Sequence, residues 1–162
     1  MNYTPQRQGL LKNVILNKAI VLLDSMDCII ALTEHHMAIG GVNDINAATI
    51  LKCMTEAKIY IDHAKYAKYR PLVNSLAEIL IDSMRSMPVQ SANSQMNMTC
   101  GNGCWALAKV GYRSNELAEA MIQAVDKLGR KQNREVRSVP LTRHKFMATL
   151  SVQWFFFSRN IC

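Results

Sequence analysis

The first forty residues place polar side chains at helical spacing, and this pattern constrains the fold more than any other feature. Thr4 and Pro5 suit a helix start, and the pattern then runs to the glycine pair at 40–41. The polar positions recur at intervals of three, four and seven residues, so they form one stripe on a mostly apolar helix: Asn13, Asn17, Asp24, Asp27 and Glu34. We therefore expect one long helix over residues 5–40 that contacts two neighbours.

Two further helices are predicted before residue 88. Asp44 is the expected cap of a helix from Ile45 to about Tyr69, because Pro71 disfavours the helical conformation in the residue before it. The next helix, from Leu72 to about Met87, carries one apolar face: Leu72, Val73, Leu76, Ile79, Leu80 and Met84. Short connections favour antiparallel packing, so residues 1–87 are predicted to form a helical bundle that also serves oligomerisation.

Residues 88–102 are rich in Ser, Asn and Gln and show no helical period, which is typical of a linker. We therefore expect a bundle over 1–87, a linker over 88–102 and a basic helical region over 103–162. The alternative is one compact domain. With 49% apolar residues in a chain of 162, either arrangement has enough apolar surface for a core.

The carboxyl-terminal region is predicted to be mainly helical. A short helix around 104–110 precedes a Gly111 turn, and Ser114 caps a helix from Asn115 to Leu128 that Gly129 ends. The predicted buried stripe of that last helix is Ala118, Met121, Ile122 and Val125. The fold class is therefore mainly α, an antiparallel bundle of five to six helices with a smaller basic helical region.

Residues 146–157 fit both a helical and a strand period. We favour a helix there, because the sequence offers no equally clear partner strand. Residues 135–139 are the only candidate, and a strand without a partner leaves its backbone groups without hydrogen bonds. The alternative is an α+β fold in which 135–139 and 146–154 form a winged-helix-like hairpin.

Positive charge is concentrated near the carboxyl end. Residues 1–104 carry a formal charge of +1 and residues 105–162 carry +6, and seven basic side chains lie between Lys127 and Lys145. Lysine and arginine clusters bind phosphates with release of counterions, and the alternative is a solvated helix end. The predicted nucleic-acid-binding residues are Arg113, Gln123, Lys127, Arg130, Lys131, Arg134, Arg137, Arg143 and Lys145.

Residues 106–118 (ALAKVGYRSNELA) have the pattern of a helix-turn-helix, although an ordinary helical hairpin fits as well. The leading hypothesis is thus a small cytoplasmic regulator that dimerises through its bundle and binds DNA through residues 106–145. The alternative is a helical adaptor or inhibitor that acts by protein–protein contact.

A weaker basic and aromatic cluster lies in the second predicted helix, where such interleaving suits single-strand or backbone binding. Its members are Lys58, Tyr60, His63, Lys65, Tyr66, Lys68, Tyr69 and Arg70. The alternative is that the tyrosines pack their rings on the bundle while the lysines stay in water.

Catalytic, metal and membrane functions lack support in the sequence. Cys100 and Cys104 supply half a zinc site, and no phosphate loop, paired carboxylates or nucleophile elbow occurs. Polar and charged residues interrupt the apolar run 14–32, which argues against a membrane span or a secretory signal. We therefore predict no enzyme activity, no metal, no cofactor, no membrane partner and a cytoplasmic location.

Overall fold

The computed structural model describes residues 5–88 and 94–136, with side chains placed for 12–88 and 99–130. This part of the chain holds six α-helices, one 3₁₀ helix and no strand. The helices are α1 (Pro5–Leu22), α2 (Met26–Ala38), α3 (Asp44–Glu56), the 3₁₀ helix (Ala64–Tyr69), α4 (Arg70–Ser86), α5 (Ser94–Lys109) and α6 (Asn115–Val136). The prediction of a mainly α helical bundle is confirmed.

The proposed carboxyl-terminal hairpin finds no support in the described residues. Glu135 and Val136, the start of its first strand, belong to α6. Residues 137–162, which include the ambiguous segment 146–157, lie outside the described part of the chain.

The core is centred on α3, which packs against α1, α2, α4 and α5, while α4 also packs against α5 and α6. The predicted face of α4 is confirmed for five of its six residues, and Ile79 is half-buried. The largest fully buried side chains are Leu16, Ile20, Ile50, Leu51, Met54, Ile61, Leu76, Leu80, Met84, Leu107, Leu117 and Val73. Helices on both sides of residue 88 thus share one core.

The long first helix was predicted wrongly, because the chain breaks at residues 23–25 into α1 and α2. Asp24 and Ser25 favour turns and helix starts, and Ser25 occupies the N-cap of α2 with an extended backbone. An unbroken helix over 5–40 would be about 50 Å long. Its partner α3 has 13 residues, so the break lets both segments pack against it.

The start of α3 differs from the prediction, since Asn43 caps it and Asp44 is its first residue. The Asn43 Oδ1 atom accepts the Asn46 backbone N–H at 2.9 Å, and the Asn46 side chain accepts from the Asn43 N–H in return. Asn46 is fully buried and donates to the Asn13 carbonyl at 3.0 Å. This reciprocal cap therefore also fixes α1 to α3.

The end of α3 was predicted thirteen residues too late, because the chain leaves the helix after Glu56 rather than at Tyr69. Lys58 adopts a φ of +55°, its N–H donates to the Thr55 carbonyl at 3.0 Å, and the Ile59 N–H donates to the Met54 carbonyl at 2.9 Å. These two bonds form a Schellman ending, in which glycine is the usual residue with positive φ. Burial of Ile59 compensates for the strain at Lys58.

Replacing Lys58 with glycine is expected to stabilise the protein by about 1 kcal/mol, because glycine adopts a positive φ without Cβ strain. Urea unfolding measures this as a higher midpoint at an unchanged slope. A Lys58→Ala variant keeps the strain and serves as the control. A lower midpoint for Lys58→Gly than for Lys58→Ala would contradict the left-handed backbone at this residue.

Both carboxyl-terminal helices extend beyond their predicted limits. Helix α5 begins at Ser94, inside the predicted linker 88–102, and α6 continues through Gly129 to Val136. The predicted stripe of α6 is wrong at two of its four residues, since Ile122 is 61% exposed and Val125 is 39% exposed, whereas Ala118 and Met121 are half-buried. The fully buried residues are Leu117, Ala120 and Ala124, and the two small alanines let α6 approach α4 closely.

Candidate nucleic-acid interface

The connection between α5 and α6 has the predicted turn and cap. Gly111 has a φ of +89° and donates to the Ala108 carbonyl at 3.2 Å, while the Tyr112 N–H donates to the Leu107 carbonyl at 2.9 Å. This is a second Schellman ending. The Ser114 hydroxyl then accepts the Glu116 backbone N–H at 3.1 Å and caps α6.

This connection is held against the loop that follows α3. The Ile61 N–H donates to the Val110 carbonyl at 2.8 Å, and Arg70 donates to the Ile61 carbonyl and to the Asp62 carboxylate at 3.1 and 3.3 Å. Arg70 is the first residue of α4. The exposed Arg113 therefore lies at the amino-terminal end of α4.

The opposite end of α4 is held by α6. The Lys127 ammonium donates to the Arg85 carbonyl at 2.7 Å and to the Met84 carbonyl at 3.2 Å. These are carbonyls of the last turn of α4, where the partial negative charge of a helix end favours a cation. Helices α4 and α6 thus run in the same direction, and Lys127 stabilises the fold rather than pointing freely into water.

The structure divides the predicted site residues between the two ends of α6. Arg113 precedes the helix, and twelve helical steps from residue 115 to Lys127 span about 18 Å. Gln123 is exposed between them. Arg113 and the basic cluster therefore do not form one compact patch.

The basic residues at the far end of α6 have different environments. Arg130 forms an ion pair with Asp126 at 2.7 Å, and both side chains are exposed. Lys131 and Arg134 belong to α6 but lie beyond the range of placed side chains, and Arg137, Arg143 and Lys145 lie outside the described residues. Glu116 and Glu119 are exposed in the first turns of α6, so the amino-terminal part of this helix offers carboxylates rather than cations.

The extension of α6 past Gly129 is the feature that sequence reasoning missed. With 100° per residue, the helical positions of Lys127, Arg130, Lys131 and Arg134 fall within about 100° of arc. We call residues 127–136 the basic half of α6. The signal for it was the helical spacing of the basic residues on both sides of Gly129. Glycine weakens a helix by only about 1 kcal/mol, so it does not always end one.

The two neighbouring thiols of α5 face the core. Burial raises the pKa of Cys104 to about 12 and, with Asp44 nearby, that of Cys100 to about 11. The Cys104 Sγ atom lies 4.0 Å from the Met84 Sδ atom. Both thiols are therefore protonated at neutral pH, and no group of three His, Cys, Asp or Glu side chains suited to a metal ion occurs among the placed side chains.

A shallow apolar cleft lies between α1 and α2. It is lined by Ala19, Leu22, Leu23, Cys28, Ala31 and Leu32. Large apolar side chains of α1 are exposed beside it, with Val21 at 65% and Leu22 at 79% of their full exposure. In the part of the chain that the structure covers, no helix is both long and apolar enough to cross a membrane.

No family model, no curated protein and no solved structure matches this chain. Two surfaces of its own stand out, the basic half of α6 and the apolar cleft between α1 and α2.

Proposed function

We propose that this chain is a small cytoplasmic regulatory protein that binds duplex DNA through the basic half of α6. The observation that carries the proposal is the unbroken course of α6 through Gly129 to Val136. That course aligns the positions of Arg130, Lys131 and Arg134 with that of Lys127 along one side of the helix, and the first three suit contact with a row of phosphates. A helix that ended at Gly129 would leave Arg130, Lys131 and Arg134 without a common surface.

Electrostatics support the same surface. The +6 charge of residues 105–162 attracts a polyanion from a distance. The exposed pair between Arg130 and Asp126 is worth at most about 1 kcal/mol, so Arg130 exchanges its carboxylate for a phosphate at small cost. Because Lys127 is fixed to the end of α4, it orients α6 instead of adding a phosphate contact.

Fluorescence anisotropy with a labelled DNA duplex tests the proposal. Replacing Arg130, Lys131 and Arg134 together by alanine is expected to weaken binding by more than about tenfold at low salt. The plot of log K against log salt should also become shallower by about 0.9 for each lost phosphate contact. The matched control replaces Lys12, Lys18 and Lys52, which removes the same charge from α1 and α3.

Two results would contradict DNA binding by α6. One is the absence of any association between the unaltered protein and the duplex at low salt. The other is an equal loss of affinity in both triple variants, which would mean that net charge alone matters.

A second candidate function, a helical adaptor, is favoured by the apolar cleft. Exposed apolar side chains flank it on α1, and the exposed Lys18 lies among them. This combination suits an amphipathic helix of another protein with an acidic residue beside its apolar face. A Leu22→Asp variant should then lose a protein that the unaltered chain retains from a nuclease-treated cell extract, whereas a Lys52→Asp variant should keep it. Equal retention by both variants would contradict a role for the cleft.

A further inference from the structure

The 3₁₀ helix before α4 consists of two identical triplets, Ala64-Lys65-Tyr66 and Ala67-Lys68-Tyr69. A 3₁₀ helix has three residues per turn, so side chains three apart lie directly above one another. The triplets therefore form one row of aromatic rings and one row of ammonium groups. His63, which caps this helix through its Nδ1 atom, extends the aromatic row by one position.

The spacing of the rings agrees with this geometry. Three residues at about 2.0 Å each give a rise of about 6 Å. The ring centroids of His63 and Tyr66 are 5.9 Å apart, and those of Tyr66 and Tyr69 are 6.3 Å apart with their planes 22° from parallel. We call His63, Tyr66 and Tyr69 the aromatic ladder.

The ammonium groups accompany the ladder closely. The Lys65 Nζ atom lies 5.2 Å from the centre of the Tyr66 ring, and the Lys68 Nζ atom lies 4.6 Å from that of Tyr69. A hydrogen bond with the Tyr69 side chain raises the pKa of Lys68. Among the placed side chains neither lysine lies within ion-pair distance of a carboxylate, although Asp27, which accepts the Tyr69 hydroxyl, lies near enough to Lys68 to act on its charge.

The ladder is fixed in place before any ligand arrives. Tyr66 and Tyr69 are half-buried against the core, and the Tyr69 hydroxyl donates to the Asp27 carboxylate of α2 at 3.2 Å. The adjacent Arg70 is held by the Ile61 carbonyl and Asp62. A surface whose rings are already ordered loses little conformational freedom on binding.

We propose that the aromatic ladder binds single-stranded nucleic acid, with bases stacked on its rings and phosphates paired with Lys65 and Lys68. Ring faces accept any base, so binding tolerates different sequences, and exposed lysines beside rings are the combination that single-strand sites use. A duplex keeps its bases stacked inside, so it cannot use the rings. Both lysines are exposed and neither forms an ion pair among the placed side chains, which favours a polyanion over an apolar protein segment.

This site is separate from the basic half of α6. The ladder immediately precedes the first residue of α4, whereas Lys127 contacts its last turn. Helix α4 has 17 residues and is therefore about 25 Å long. Alterations at one end leave the other end intact, so the two proposals fail independently.

The test titrates labelled oligo(dT) and oligo(U) of about ten nucleotides against the full chain by anisotropy. Replacing Tyr66 and Tyr69 by leucine keeps apolar bulk but removes the ring faces, and should weaken binding about tenfold or more. The matched variant with phenylalanine at both positions keeps the rings and should bind as the unaltered protein does. Equal binding of the two oligonucleotides indicates recognition of bases and phosphates, and tighter oligo(U) binding indicates an added contact to the ribose hydroxyl.

Substitution of the two lysines gives a second test. It does not disturb the core, because both side chains are exposed. Replacing Lys65 and Lys68 by alanine should make the salt dependence shallower by about 1.4, at about 0.7 for each single-strand phosphate contact. A Lys12→Ala, Lys52→Ala variant on α1 and α3 removes the same charge and should leave the salt dependence unchanged. The proposal is overturned if the leucine and phenylalanine variants bind single strands equally well. It is also overturned if the alanine variant of Arg130, Lys131 and Arg134 abolishes single-strand binding while the lysine variant of the ladder does not.

Discussion

A Leu80→Ala variant should unfold with a free energy about 2–5 kcal/mol lower than that of the unaltered protein. Leu80 is fully buried in α4, where α4 meets α5, and its truncation removes apolar contacts and leaves a cavity. Urea unfolding followed by circular dichroism gives the difference. A Glu78→Ala variant on the exposed side of α4 is the control and should change stability by less than about 0.5 kcal/mol.

The same position tests why α5 has a glycine where it packs against Leu80 of α4. A Cβ atom on Gly103 would lie 2.6 Å from the Leu80 Cδ1 atom, closer than non-bonded carbon atoms approach one another. Gly103→Ala alone should therefore cost about 1–3 kcal/mol through overpacking. In the Leu80→Ala background the new methyl group fills part of the cavity, so the second substitution should cost little or restore stability. Strictly additive losses would contradict this contact.

Gly111→Ala is the second substitution with a large expected effect, a loss of about 2–4 kcal/mol in the free energy of unfolding. Gly111 has a φ of +89°, and an added Cβ would lie 2.7 Å from the Asp62 Oδ2 atom. The left-handed backbone opposes a side chain there, and the exposed Asp62 carboxylate would have to turn away, which disturbs its bond with Arg70. Thermal or urea unfolding of the variant measures the loss.

Gly40 supplies the matched control for that substitution. Its φ is +66°, but no atom lies within 4 Å of a Cβ added there. Gly40→Ala should therefore cost only the backbone strain, about 1 kcal/mol. Equal losses at the two glycines would mean that the Asp62 carboxylate does not lie against Gly111.

The sequence predicted the parts of the fold that local signals specify. The face of α4 follows from its strict helical spacing, and the connection at Gly111 and Ser114 follows from a glycine and a capping hydroxyl. The prediction of the end of α3 failed, because the glycine that usually ends a helix is missing there. Lys58 occupies the left-handed position that ends α3, and no glycine marks it.

Contacts between helices, and not the local sequence pattern, determine the orientation of α6 and the role of Lys127. The orientation of α6 depends on Ala120 and Ala124, which bring it close to α4, although Ile122 and Val125 are more hydrophobic in sequence. The role of Lys127 depends on carbonyls more than forty residues earlier in the chain. A charge count places Lys127 in the basic cluster but does not reveal that its ammonium caps α4.

The candidate surfaces were predictable to different degrees. The positive charge near residue 130 is evident from composition, whereas its alignment requires α6 to pass Gly129. The interleaved tyrosines and lysines were also visible, but the predicted α-helix gave them the wrong period. The triplet Ala-Lys-Tyr matches a 3₁₀ helix, and only that geometry stacks Tyr66 on Tyr69.

The salt dependence of duplex DNA binding tests the central claim most directly. If the basic half of α6 holds phosphates through Arg130, Lys131 and Arg134, log K should fall with log salt with a slope of about −2.7 or steeper. The alanine variant at these three positions should lose most of that slope and the control variant at Lys12, Lys18 and Lys52 should retain it. A slope that is the same in all three proteins, or no binding at low salt, would contradict the account.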